Sequence, residues 1–291
     1  MKMIKPSFEI LEPQSYDLLG MYKHIELCGR TCYKSEDRIT DSSAEPFVKR
    51  MADAKHYAML GHGTIYLKIT NMIVPEDEKN QNHYVDWDLY KELRTKYTKN
   101  KYSHCIEEYT ETIYVTTNHR VIVENGWEDD LKYMCEPTEH HVKRITVKFI
   151  CNLQVSHEFV RHTVFSVAQE SSRYCNYAKD KFGGELTFIE PCWLNDPETT
   201  EWSKEILMNR LRQAETGYLA LIEEGWKAQQ AAIVLPKDTK TELVMTGYLD
   251  ADGWLHFFDL SALGTTGAPH PHAKELALPL MEEFKKRGYI Q

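Results

Sequence analysis

The sequence predicts a mixed α+β (α/β) fold, a central and largely antiparallel sheet flanked by helices, and three observations carry that expectation. Ile145-Thr-Val-Lys-Phe-Ile-Cys151 alternates apolar with polar residues, the period of a half-buried strand, and Thr64-Ile-Tyr-Leu-Lys-Ile-Thr70 reads as another. Residues 14 to 33 and Glu201 to about Gln229 place their apolar residues near helical spacing instead. No low-complexity linker and no internal repeat separates these pieces, so one compact domain over residues 1–291 is the simplest account.

In chain order, the first helix carries Leu18, Leu19, Tyr22, Ile25 and Leu27, with Gly20 and Gly29 as weak points. Cys28 and Cys32 lie one turn apart in it; with no further ligands nearby they read as structural or ordinary buried thiols. Ser42-Ser43-Ala-Glu-Pro46 is a helix start, and that helix runs through Phe47, Met51 and Ala54 to about His56. Glu76 to Lys101 is highly charged without a sustained apolar face. Its Lys91, Arg94, Lys96, Lys99 and Lys101, interleaved with Tyr90, Tyr97 and Tyr102, suit single-stranded nucleic acid, but a solvated helical face is the simpler account. Thr112 to Val123 suggests two short strands around Asn118-His119, and Trp127 to Cys135 a short helix.

After the strand at 145–151, Ser156 is expected to cap a short helix carrying Glu158 in its first turn and ending near Arg161-His162. Lys179 to Gly184 is a turn and Leu186-Thr-Phe-Ile189 a strand closed by Pro191. The helix from Glu201 buries a stripe of Ile206, Leu207, Leu211, Ala214, Tyr218, Leu221 and Ile222.

Composition narrows the function classes. A chain of 291 residues with 42% hydrophobic residues can build a sizeable core. No apolar run approaches the roughly 20 residues of a membrane span, and Met-Lys-Met-Ile-Lys-Pro has no apolar core of the secretory type. Seven cysteines at irregular spacing suggest a reducing compartment, hence the cytoplasm. A formal charge of -9 argues against bulk nucleic acid, because duplex binding needs a basic face, while free nucleotides need only local charge. His140-His141 and His270-Pro-His272 lack Cys or carboxylate partners at a metal-binding spacing, so no metal is expected.

The stretch Arg161-His-Thr-Val-Phe-Ser-Val-Ala-Gln-Glu-Ser-Ser-Arg-Tyr174 concentrates anion-binding and proton-donating side chains. From Ser166 onward it is too polar to bury on one face and reads as a loop. Arg161 and Arg173 can each clamp a phosphate bidentately, and the serine hydroxyls and Gln169 amide can read a base or sugar, so a nucleotide is the natural ligand. The bland alternative is a solvated loop with Arg161 paired to Glu158 and Arg173 to Glu170.

The spacing Arg-His, Ser four residues after that His, then Ser-x-Arg-Tyr resembles the signature of the flavin-dependent thymidylate synthases. Lys5-Pro-Ser-Phe-Glu-Ile-Leu, Cys32-Tyr-Lys-Ser, Val234-Leu-Pro and Thr241-Glu-Leu are similar to that family as well, with residues 71–143 standing as an insertion within the domain. The resemblance implies FAD as cofactor, dUMP as substrate, methylenetetrahydrofolate as carbon donor, NADPH as reductant, and a homotetramer with sites built from several subunits. It places His56, Arg161, His162, Thr163 and His256 at the flavin, and Glu158, Arg161, Gln169, Glu170, Ser171 and Arg173 at dUMP. Ser171 and Arg173 carry the catalytic role, Ser171 touching and polarising the uracil without attacking it.

Departures from the family pattern are specific. Arginines that the family usually has are replaced by Thr163, Ala232 and Ser261, Ala168-Gln169 stands for an Asn-Glu pair, and Gly61-His62 for a Glu-His pair. Methylation at C5 builds negative charge on the ring, and losing one fixed cation there costs on the order of 3 kcal/mol, about a hundredfold in rate. A replacement cation is therefore expected from His270, His272, Lys237 or Lys240. Two other readings are a related flavoenzyme acting on another uracil nucleotide and a nucleotide-binding protein without catalysis.

Overall fold

The computed structural model describes residues 1–71, 84–108 and 111–291; the 76–83 part of the charged stretch lies outside them. The chain opens with β1 (Lys2–Ile4) and β2 (Ser7–Leu11), then α1 (Leu18–Thr31), whose cap Asp17 accepts from the Gly20 amide at 2.7 Å. α2 (Ala44–Asp53) and the single turn α3 (Tyr57–Leu60) lead into β3 (Thr64–Asn71). There follow β4 (Tyr84–Val85), α4 (Trp87–Lys99), β5 (His104–Glu108), β6 (Thr112–Asn118) and α5 (His119–Asn125), then a 3-10 helix at Glu128–Tyr133. The second half runs β7 (Arg144–Asn152), α6 (Leu153–Phe159), β8 (Ser166–Gln169), β9 (Thr187–Ile189), α7 (Glu201–Glu223) and α8 (Ala228–Ala231). It ends with β10 (Lys240–Tyr248), α9 (Trp254–Phe258), a π-helical turn at Asp259–Leu263 and α10 (Pro271–Lys286).

The α+β architecture is divided over two four-stranded sheets. One has the order β2-β7-β10-β8 and is antiparallel throughout; the other, β4-β3-β6-β5, is antiparallel except where β4 joins β3. β1 and β9 pair in parallel beside them. Residues 84–143 thus supply β4, β5 and β6 to the sheet that β3 begins.

Strand alternation gives the first sheet two covered faces. Val147, Phe149 and Cys151 of β7 and Leu243 and Met245 of β10 point into a core with Phe159, Trp254, Phe257, Leu280 and Phe284 from α6, α9 and α10. On the opposite face Ala168 and Val244 pack on Cys28 of α1. The second core joins Ile65, Leu67, Ile113 and Val115 to Phe47, Tyr90, Leu93 and Tyr97. Tyr90, Leu93 and Tyr97 therefore form a narrow apolar face on α4, with Lys91, Arg94 and Lys99 on its exposed side.

Local expectations change at four places. Asn152, not Ser156, caps α6: its side chain accepts from the Val155 amide at 2.8 Å, while the Ser156 hydroxyl donates back to the Leu153 carbonyl inside the helix. Residues 166–169 form β8, because their backbone pairs with β10 and Ala168 buries against α1, contacts that four residues leading into a polar stretch do not announce. The expected second strand at 119–123 is α5, capped by Asn118 and closed by Gly126 at φ +67°. α7 ends at Glu223, where Gly225 turns the chain at φ +89°, and of its expected stripe only Leu211 and Tyr218 are fully buried; Ile206 is exposed.

Candidate active site

The turn after α6 is the centre of the site. The His162 amide donates to the Phe159 carbonyl and the Phe165 amide to that of His162, folding Val160–Phe165 tightly under the core. Phe165 lies flat enough on β10 that a Cβ at Gly247 would come within 2.4 Å of its ring, and its other side meets Trp254 edge-on at 4.8 Å. This anchorage holds His162 and Thr163 facing α9.

There the His162 ring stands 5.8 Å from that of His256 and 5.2 Å from Phe257. The π turn carries Ser261 to the same place. Gly264, at φ +71°, reverses the chain and returns it to His270, the cap of α10. Together Glu158, Arg161, His162, Thr163, His256, Ser261 and His270 line a cavity of about 700 Å³, floored by Leu260, Pro269 and Ala273.

Burial pushes the His162 imidazole down to about 4, and the neighbouring His256 and Arg161 push it the same way. At neutral pH it is an uncharged ring with one N–H donor and one acceptor. Arg161 pairs with Glu158 at 3.1 Å but its side chain is 76% exposed, so the pair is weak and the guanidinium is free to turn toward a ligand. The neutral His162 ring, an apolar floor and an exposed guanidinium fit a flat heterocycle with polar edges, which is what a flavin or a uracil presents. Among the described residues no group of three or more His, Cys, Asp or Glu is placed to hold a metal.

The rest of the signature goes elsewhere. β8 spans about 13 Å at the usual rise per residue, and it separates Thr163 from Glu170. Gln169 reaches back to α6, donating to Ser156 Oγ at 2.9 Å and to Thr241 Oγ1 at 3.3 Å. Glu170 is buried, accepting from Lys240 at 2.8 Å and from the Tyr177 hydroxyl at 3.1 Å. Beside it Glu242 receives Lys34 at 2.8 Å and Lys148 and Lys240 at 2.6 Å each. Burial by itself would raise the Glu242 carboxyl, but Lys240, Lys148 and Lys34 hold it far below the ordinary range. Ser171 donates its amide to the Cys32 carbonyl, and its Oγ accepts from the Arg173 amide. Arg173 does not meet Glu170; its guanidinium lies over Tyr174, 5.6 Å from the ring centre, in the open.

His56 is exposed at the start of α3 and is not part of the cavity wall. Of the expected replacement cations, His270 lines the cavity. His272 is buried against Trp193 and bonded to Asn152, Lys240 is held by Glu170 and Glu242, and Lys237 is exposed. Ala232 lies away from the cavity, beside Trp226 and Ile233. Sequence reasoning missed the cluster of Lys34, Lys148 and Glu242. Its one trace is Lys148, a charge at an inward polar position of an alternating strand.

Comparison with known proteins gives the context. A family model described as Thymidylate synthase complementing protein matches residues 94–287. The flavin-dependent thymidylate synthase of Geobacter sulfurreducens is 29% identical over 105 residues, 36% of this chain and 41% of that protein. Those of Sulfurisphaera tokodaii and Pyrococcus furiosus are 26% and 28% identical over 148 and 142 residues, or 51% and 48% of this chain and 52% and 54% of theirs. The chain spans about half the length of the relatives it matches. A solved UMP/dUMP methylase, PolB of Streptomyces cacaoi, bound with 5-Br dUMP, superposes over 98% of this chain and 93% of that one with a TM-score of 0.45 and 12% identity. The match over residues 94–287 takes in the signature, the turn that carries it, α9 and α10, and by it this chain belongs to the family of thymidylate synthase complementing proteins.

Proposed function

We propose that the chain is a flavin-dependent methylase of dUMP, forming dTMP with methylenetetrahydrofolate as carbon donor and NADPH as reductant through FAD. The observation that carries this reading is the meeting of Arg161, His162 and Thr163 with His256 and Ser261 in one cavity, in a chain of this family. The names of its relatives support it. On this reading His162, Thr163 and His256 hold the flavin, which supplies two-electron redox chemistry when bound. Glu158 and Arg161 face the uridylate. A neutral His162 can donate one N–H to a ring carbonyl without adding charge, and Arg161 can leave Glu158 for a phosphate. Of the side chains expected to replace the missing arginines, His270 is the one that lines the cavity, and on this reading it is the group that meets the uracil.

Gln169, Glu170, Ser171 and Arg173 belong to the dUMP site on this reading, and His56 to the flavin, yet none of them lines the cavity of their own chain. A homotetramer accounts for this if a second copy brings its Ser171–Arg173 edge and its α3 to the cavity. Exposed Trp202, Ile206, Trp226 and Ile233 on and after α7 support association. Free cysteines throughout the described residues support a cytoplasmic location.

The test is anaerobic bleaching of the flavin absorbance by NADPH on FAD-loaded protein, with and without dUMP. Bleaching whose rate dUMP changes is the expected result; failure to retain or reduce flavin would overturn the reading. A second reading, methylation of another uracil nucleotide, is favoured by the neutral Thr163 and Ser261 in the cavity wall, and the mass of the nucleotide product separates the two.

A further inference from the structure

Two segments of the cavity wall are joined behind it by one buried pair of side chains. Glu158, Arg161, His162 and Thr163 come from the end of α6 and the turn after it, while His270 and Ala273 come from the start of α10. Asn152 and His272 are not part of that wall, and at 0% and 3% exposure both are shut off from solvent.

Asn152 ends β7 and caps α6. Its Oδ1 accepts from the Val155 amide at 2.8 Å, so the oxygen is spent on the helix and Nδ2 faces His272, whose Nδ1 lies 2.8 Å away. An amide nitrogen only donates, so Nδ1 of the imidazole receives that N–H as a bare acceptor. Burial pushes the His272 imidazole down, and the neighbouring His270 pushes it the same way, which keeps the acceptor free of a proton at neutral pH. Trp193 covers the ring face at 4.4 Å and nearly parallel, and the Cys192 amide stands 3.3 Å from Nε2.

Bonded backbone leads from this pair to the cavity on both sides. Beyond the cap, the His162 amide bonds to the Phe159 carbonyl and the Phe165 amide to that of His162. In α10 the His272 amide donates to His270 Nδ1 at 3.3 Å and the Ala273 amide to the His270 carbonyl at 2.9 Å. Val155, Phe159, Ala273 and Leu276 pack in the same core, but apolar contact is non-directional, so the hydrogen bond sets how α6 and α10 register. A slip of either helix changes the gap between His162 and His270, and a misplacement of about 1 Å at a reacting site costs about a hundredfold in rate.

We propose that Asn152 and His272 are positioning residues, a latch that sets the distance between the turn carrying His162 and the His270 end of α10. The catalytic part of this assignment rests on the cavity being the uridylate-methylating site; the coupling of the two helices does not.

Three substitutions in the whole chain test the latch. Asn152→Ser keeps a cap for α6 but does not reach His272, His272→Phe keeps a ring against Trp193 but has no acceptor, and His272→Asn puts a carbonyl oxygen where Nδ1 stood. In cofactor-free protein, amide hydrogen exchange over Val160–Phe165 is expected to quicken about tenfold in Asn152→Ser and His272→Phe and to return to within about threefold of the unsubstituted chain in His272→Asn. On FAD-loaded protein, kcat for dUMP is expected to fall about tenfold in the first two with KM little changed, and the double variant to be no slower than either single one. Unchanged exchange at Val160–Phe165, losses that add in the double variant, or no recovery in His272→Asn would overturn the latch. Asn152→Ser carries both readouts if His272→Phe fails to fold. An unsubstituted chain that never turns over dUMP would count against the proposed function instead, and exchange would then decide the latch by itself.

Discussion

At the scale of single residues, charge placement separates the groups that do chemistry from those that hold the fold. His270 lines the cavity, whereas Lys237 is exposed elsewhere. If His270 supplies the cation that Ser261 does not, His270→Ala should lower uridylate turnover about a hundredfold, on the order of 3 kcal/mol, while Lys237→Ala leaves it unchanged. Single-turnover rates on the two variants decide this, and equal rates would remove His270 from the mechanism. Glu242 has a structural weight instead, because it bridges Lys34, Lys148 and Lys240, with Glu36 and Glu170 supplying the further negative charges. Glu242→Ala leaves three ammonium groups facing one another and should cost about 3–5 kcal/mol of stability in a denaturant titration.

At the scale of elements, the site depends on how closely backbone approaches side chain. Gly247 in β10 touches the ring of Phe165, and that contact sets the height of the turn carrying His162 and Thr163. A valine at 247 must push Phe165 off Trp254, so Gly247→Val should destabilise by about 1–3 kcal/mol, with a melting-point fall of roughly 2–4 °C per kcal/mol. It should also weaken flavin retention if the turn holds the cofactor. A variant with unchanged melting would mean the ring has room to move. Asn152 acts across elements as well, capping α6 through Oδ1 while its Nδ2 meets His272 of α10 at 2.8 Å.

At the scale of the whole molecule, a buried polar chain ties the two sheets and α1 together. His24 Nε2, Thr146 Oγ1, Thr246 Oγ1 and His62 Nδ1 follow one another at 2.8, 2.8 and 2.7 Å. Burial pushes His24 down to about 4 and His62 down to about 3, so both are neutral in the folded protein where an unfolded histidine, near 6.5, would already take a proton. The unfolded state then binds more protons below pH 6.5. Stability is fully present above that value and falls as pH drops toward 4, by up to about 1.4 kcal/mol per pH unit for each histidine. Thermal melting from pH 7 to pH 4.5 should show this fall, and His24→Asn should make it shallower; a slope unchanged in that variant would exclude His24 as its source. The sequence by itself determined the strand at 145–151, the helices expected over 14–33, from Ser42 and from Glu201, the first of which begins only at Leu18, and the signature running from Arg161 to Tyr174, because periodicity, caps and short motifs are local. Only the tertiary structure decided that the signature divides, Arg161 and His162 facing His256 and His270 while Glu170 turns to Lys240. β8 was hidden for the same reason, because Ser166–Gln169 is a strand through pairing with β10, far away in the chain; α5 has its Asn118 cap and Gly126 stop in the local sequence, and the burial of Val121 and Ile122 on one helical face is what only the tertiary structure shows.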